Sequence, residues 1–340
     1  MDVSPTGPLA EFRVDAARMR FVGSDLHRPE CILATPRGTL FTSDARGGVM
    51  RIEADGTQTL LGRAPAPVAD QARKGEEWAR SSLPNGIAFD GQGGIIIADV
   101  GAREIRRLTP RGEIETLHSH VDGIPLGIVN FILQDHAGRL WFTVTTNCAD
   151  PLDAMNRRIA DGYIGVIDAR SIRIVADGFC GTNELRLDAQ GEWLYVVESY
   201  GRRITRLRIG PDARLSHRET FGPGLLDPVP DGCAFDADGN LWVTCVFSEK
   251  IIAITPKGDV LTIMDEGDPA QFATFLAHVD AGTVTPGIMG AVSGNAAAPW
   301  ISSLTFGGPD LRTVHIGTGK GSRIATFRSP VAGQPMAHWR

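Results

Sequence analysis

Most of the chain alternates large apolar and polar residues over short runs broken by Asp and Gly turns. This is the two-residue period of half-buried strands, not the 3.6-residue period of helices. One unit returns six times, as CILATPRGTLFTSD from Cys31, GIAFDGQGGIIIAD from Gly86, FILQDHAGRLWFTV from Phe131, ELRLDAQGEWLYVV from Glu184, GCAFDADGNLWVTC from Gly232 and, more loosely, SLTFGGPDLRTVHI from Ser303. The turn glycines Gly38, Gly93, Gly138, Gly191 and Gly239 are spaced by 55, 45, 53 and 48 residues, near the roughly 40–50 residues of known propeller-blade repeats. A second hairpin follows most copies, as in REIRRLTPRGEIETL and EKIIAITPKGDVLTIM, so each unit holds about four strands. A lone four-stranded sheet leaves two edges open and cannot bury both faces, whereas radial packing of six such sheets solves both problems. The predicted fold is all-β, a six-bladed β-propeller with four antiparallel strands per blade.

This reading makes residues 1–340 a single propeller domain with its core over about 20–330. The N-terminal stretch FRVDAARMRFVG supplies the outer strand of the last blade and so closes the ring, and Phe41, Trp141, Tyr195 and Trp242 pack between blades. Three segments break the period: 63–84, 147–162 and 265–300. Propeller insertions emerge as loops at the ends of the ring, and 147–162 is the candidate lid.

The 42% hydrophobic content suffices for such a core, and no apolar run reaches the roughly eighteen residues of a membrane helix. A net charge of −6 offers no basic surface for nucleic acid, which leaves a small-molecule substrate as the expected partner, bound by a monomer or small homo-oligomer. The opening MDVSPTGPLAEF has neither the basic start nor the apolar stretch of a secretory signal, and the five scattered cysteines show no CxxC spacing. Both suit a cytoplasmic protein.

The residue just before each innermost strand points toward the ring axis. In chain order these are Glu30, Asn85, Asn130, Asn183 and Asp231. Each alone reads as an ordinary turn or strand cap. Five converging on one axis, two of them carboxylates, are costly unless a cation neutralises them. Oxygen donors without His or Cys favour a hard ion, so calcium, magnesium or manganese come first, with zinc still open.

These residues also carry a resemblance. RPE at Arg28 to Glu30, VNFILQDHAGRLWFT from Val129, TNELRLDAQGEWLYVVES from Thr182 and PDGCAFDADGNLWV from Pro230 resemble the senescence marker protein, gluconolactonase and luciferin-regenerating enzyme family over residues 20 to 330. The resemblance implies a six-bladed propeller lactonase with one catalytic divalent metal held by Glu30, Asn130, Asn183 and Asp231. Asn85 fills the matching slot of the second blade as a supporting or substrate-contacting residue. The chain departs from sugar lactonases of that family at Ile128 and Phe131, where they carry Arg and Asp, and at Glu184, where they carry Gly. Glu184 could reach the substrate rim or cap its strand.

The expected activity is therefore metal-dependent opening of a lactone less hydroxylated than gluconolactone. Asp231 is both ligand and general base, Glu30 is the reserve base, and Asn85, Ile128, Phe131, Glu184 and Arg157 on the lid face the substrate. The same metal geometry would also serve a phosphotriesterase or aryl esterase, and a non-catalytic ligand-binding propeller is the rival outside enzymes. No GxSxG elbow is present, Cys233 reads as a buried hydrophobe, His118 and His120 fall on an outer strand or loop, and GTGKGS from Gly317 reads as a hairpin turn with no helix after it.

Overall fold

The computed structural model describes residues 7–62, 82–292 and 297–339. Six four-stranded antiparallel sheets form the ring. From the axis outward, blade one is Ile32–Ala34, Leu40–Asp44, Gly48–Ile52 and Gln58–Leu61, and blade two is Pro84–Phe89, Ile95–Asp99, Glu104–Leu108 and Ile114–His118. Blade three is Val129–Gln134, Leu140–Val144, Gly162–Ile167 and Ile172–Phe179; blade four is Thr182–Leu187, Trp193–Glu198, Arg203–Ile209 and Leu215–Phe221. Blade five is Val229–Phe235, Leu241–Val246, Lys250–Ile254 and Val260–Asp265. Blade six takes Ile301–Gly307, Thr313–Thr318 and Ile324–Arg328 from the end of the chain and Arg20–Val22 from its beginning, with Phe21 opposite Ala325. This is the predicted closure. Each innermost strand touches the next, and that of blade six touches that of blade one.

The repeated Asp and Gly turn has a local cause. In blade three, Asp135 Oδ1 accepts from the backbone N–H groups of Ala137 and Arg139, both at 2.9 Å, while Oδ2 accepts from Trp141 Nε1 at 2.8 Å. Asp236 binds Asp238, Asn240 and Trp242 in the same way, at 3.0, 2.9 and 2.9 Å. One carboxylate thus closes the turn and satisfies the indole of a fully buried Trp. Gly138 and Gly239 supply the left-handed position, φ +79° and +81°. Trp141, Tyr195 and Trp242 are buried in the core clusters between blades, with Phe41 packed half-buried against them.

Two helices interrupt the repeat after blade five, α1 at Pro269–Ala281 and α2 at Pro286–Ala291. Asp268 caps α1 through Ala270 N and Gln271 N, and Gly282 ends it in the left-handed conformation. The apolar faces of both helices pack on Leu152 and Met155 of segment 147–162 and on Val229, Val246 and Phe247 of blade five, building a roof over one end of the ring. At the other end the C-terminal tail crosses the ring. Gln334 N donates to Phe235 O at 2.9 Å, Gln334 Nε2 to Leu187 O at 3.2 Å, and His338 Nε2 lies 2.8 Å from Ala34 O. Of the interruption expected at 63–84, residues 63–81 lie outside the described residues. No helix among the described residues is long and apolar enough to cross a membrane.

Candidate metal centre

Four of the five axial positions sit at a repeated irregularity; Glu30 precedes a strand that pairs without one. Pairing between the first two strands slips between Pro84 and Ile87, Val129 and Phe131, Thr182 and Leu185, Pro230 and Cys233, and Ile301 and Ser303. Bulges of this kind twist a strand and re-aim its side chains. Here they flank Asn85, Asn130, Asn183 and Asp231, and in blade six they flank Ser302. Hydroxyls on or directly after the second strand of one blade tie it to the innermost strand of the next at the same level: Thr143 Oγ1 donates to Asn183 O at 2.7 Å, Thr145 Oγ1 to Thr182 O at 2.8 Å and Thr244 Oγ1 to Ser302 O at 2.8 Å. The axial side chains thus stand on a rigid ring of strands, the support that a precise ligand set needs.

Glu30, Asn85, Asn130, Asn183 and Asp231 line one cavity of about 450 Å³ beneath the roof, a size suited to a small molecule. Asn85 Nδ2 donates to Asn130 O at 2.9 Å and reaches Asn130 Oδ1 at 3.3 Å, while its own Oδ1 accepts from Arg28 Nη2 at 2.6 Å. The oxygen of Asn85 is therefore taken by a cation already, which makes it a tether for Asn130. Asn183 Nδ2 donates to Ser199 Oγ at 3.2 Å and to Asp231 Oδ1. Among the described residues no three His, Cys, Asp or Glu cluster as a metal site; the axial set is two carboxyls with carboxamides.

Two observations fit that set to a divalent cation. Glu30 Oε2 and Asn183 Oδ1 are buried oxygens with no hydrogen-bond partner, an arrangement that costs free energy unless something else satisfies them. Burial also lifts the Glu30 carboxyl above its ordinary range against the pull of Arg28, and lifts Asp231 well above it, with Glu30 and Glu184 adding like charge. A cation on the axis would reverse both effects and hold the pair ionised.

The other expected contacts divide. Ile128 is buried in the cavity wall. Phe131 does not line the cavity: it lies in the core below, fitted against Gly86, with the Arg186 guanidinium 4.7 Å from its ring centre. Glu184 is also away from the cavity, since its Oε2 pairs with Arg186 at 2.8 Å and accepts from Cys233 N at 3.1 Å beside Gly232. Its carboxyl is pushed up to about 7, by burial above all. Phe131 and Glu184 follow the axial residue across the bulge and fill the channel floor. Arg157 is exposed on the lid segment and does not line the cavity, whereas Pro151, Leu152 and Met155 of that segment do.

Sequence reasoning passed over several lining residues. Ser302 could have been found, because it directly precedes the sixth copy as Asp231 precedes the fifth. Phe247, Met289 and Trp300 had no signal, since they come from the segments between copies. Tyr200 also lines the cavity, and burial lifts its phenol above the usual range with Asp231 adding to the effect. It is a neutral donor and not a base. Cys233 is fully buried in the core of blades four and five, and His118 ends an outermost strand.

Fold and site together define a six-bladed propeller with one oxygen-donor centre on its axis under an apolar roof. The chain belongs to the SMP-30/gluconolactonase/LRE-like family, whose model matches residues 28–285. Among solved structures, it resembles a Xanthomonas campestris gluconolactonase at 20% identity and TM-score 0.65, over 92% of this chain and 90% of that one. The calcium-binding protein regucalcin from Agrobacterium tumefaciens matches at 14% identity and TM-score 0.64, over 94% and 98%. Virginiamycin B lyase from Staphylococcus aureus, a different kind of enzyme, matches at 16% and 0.56, over 94% and 88%. At these identities the likeness concerns the fold, and function has to be argued from the site.

Proposed function

We propose that this chain hydrolyses a lactone with few hydroxyl groups, using a divalent cation held by Glu30, Asn130, Asn183 and Asp231. The observation that carries the reading is the pair of orphaned oxygens, Glu30 Oε2 and Asn183 Oδ1, on one axis beneath an apolar cavity. The family description, which names gluconolactonase, gives the reaction class. An all-oxygen set favours calcium, magnesium or manganese over zinc. When bound, the ion would polarise the ester carbonyl and acidify water.

The chain's own groups supply the rest. Asp231 takes a proton from the attacking water and Glu30 is the reserve base. Water oxygen joins the carbonyl carbon, the bond from that carbon to the ring oxygen breaks, and the proton taken up by Asp231 passes to the departing ring oxygen, which becomes a hydroxyl. Asn85 keeps Asn130 in place from the side. Leu83, Val100, Ile128, Leu152, Met155 and Phe247 line the space above; they favour an apolar substituent and leave a polyol's hydroxyls unpaired.

The test is acid release by calcium-, magnesium-, manganese- or zinc-loaded protein from γ-octalactone and gluconolactone. With about 1–3 kcal/mol lost per unpaired buried hydroxyl, two such losses predict kcat/KM about thirtyfold or more in favour of γ-octalactone. A clear win for gluconolactone overturns the substrate reading, and release from neither overturns the reaction.

A further inference from the structure

Arg28 is the single basic side chain among the described residues lining the axial cavity. Its guanidinium donates to two uncharged acceptors, Asn85 Oδ1 at 2.6 Å and Pro84 O at 3.3 Å. None of the ion pairs among the described residues involves it, so its charge is fixed in position but not cancelled by contact with a carboxylate. The backbone reinforces the placement. Arg28 has φ +55°, a conformation unfavourable for a residue with a side chain, and its N–H is held by Gly321 O at 3.3 Å. Backbone strain of this kind persists where the surroundings over-determine it, and it concentrates at functional sites.

Charge bookkeeping gives the guanidinium a purpose. Glu30 and Asp231 together balance one divalent cation, so the occupied cavity would keep the single positive charge of Arg28 against largely apolar walls. Such a site prefers a ligand with one negative charge. Ester hydrolysis creates that charge during the reaction: a neutral lactone enters, and the released acid ionises to a carboxylate while its proton leaves to solvent.

We propose that Arg28 is the carboxylate anchor of this site, a specificity-determining residue that binds the hydroxy-acid form of the substrate in preference to the closed lactone. This rests on the hydrolytic reading above. It adds a residue outside the metal set and a direction, with the acyl end lying toward Asn85 and the alkyl end under the roof.

The experiment titrates 4-hydroxyoctanoate, the opened form of γ-octalactone, into wild type, Arg28→Met and Arg28→Lys by calorimetry, with calcium and again with chelator. Thermal melts establish that each variant is folded. Arg28→Met should weaken hydroxy-acid binding at least about tenfold with calcium, the scale of one hydrogen bond to a charged group, and with chelator, where Glu30 and Asp231 are no longer neutralised, wild type itself should bind the acid more weakly. Arg28→Lys should recover part of the loss, and the rise in KM for neutral γ-octalactone should be at least about threefold smaller than the loss of acid affinity. Equal losses for acid and lactone would make Arg28 a structural tether of Asn85 and end the proposal, as would undiminished acid binding or no acid binding by wild type. If acid binding depends on Arg28 but no lactone is turned over, the anchor stands and the hydrolytic reading fails. If lactone is hydrolysed and acid binding ignores Arg28, the reverse holds.

Discussion

Asn183 and Asp231 lie 48 residues apart and on different blades, yet the amide of the first donates directly to the carboxylate of the second. The inner strands of blades four and five bring them together at the wall of one cavity. Asp231→Asn would keep an oxygen at this position while removing both a charge and the proton acceptor. Turnover should fall at least about 100-fold, the usual scale for a general base. Initial rates of acid release measure it, and unchanged turnover would assign the base to another group.

Cation binding should also appear without turnover. A ligand that binds only the folded chain stabilises it by about 2.7 kcal/mol at a hundred times its Kd, which for a chain of this size is a rise in melting temperature of roughly 4 °C. Calcium should produce such a shift in wild type and at most half of it in Glu30→Gln, where a buried unpartnered carboxylate oxygen loses its charge. Absence of any shift with calcium, magnesium, manganese and zinc would dismiss the metal centre.

Acid should weaken the fold through blade six. His315 is buried between Thr305 and Thr326 on the neighbouring strands, with Nδ1 unpartnered, and burial lowers its pKa from 6.5 to about 4. Below pH 6.5 the unfolded chain takes up a proton that the folded chain refuses, so stability declines from 6.5 down to about 4 and this contribution then levels off. The loss is on the order of 3 kcal/mol. In His315→Leu, chemical unfolding followed across this range should show a flatter dependence than wild type. Parallel curves would mean the imidazole is protonated in the folded state.

The ring was legible in the sequence because its cause is local and repeated. Asp135 with Trp141 and Asp236 with Trp242 write the same turn into the third and fifth copies, Asp90 and Asp188 repeat its backbone half in the second and fourth, and once the copies are aligned the axial residues follow by counting. The channel floor was not legible. A bulge displaces side chains by one position, so Phe131 and Glu184, next to axial residues in sequence, fall below the cavity in space. The roof was legible only as an interruption, because Met289 and Trp300 reach the cavity through packing between α2 and blade five, a long-range relation that no repeat encodes. Arg28 stood in plain sight within RPE, but its role depends on the bond to Asn85 across two blades.

Ile128 offers the sharpest test of how the cavity chooses its substrate. It is 5% exposed, lies on the wall, and its backbone pairs with Thr146 O at 2.9 Å and Thr145 N at 2.8 Å, so a substitution changes the wall's chemistry without releasing the strand. Ile128→Asn places an amide where the native wall has only carbon. The amide penalises an apolar substituent, which leaves it unpaired, and rewards a hydroxyl within reach. A buried polar residue also costs stability, roughly 1–3 kcal/mol, so absolute rates alone would mislead. The ratio of kcat/KM for γ-octalactone to that for gluconolactone is free of this problem, because the fraction of folded enzyme cancels. We expect the ratio to fall about tenfold, the effect of about 1.4 kcal/mol. A ratio that does not move while both rates drop together would show that Ile128 only supports the blade, and that the substituent lies against another part of the roof.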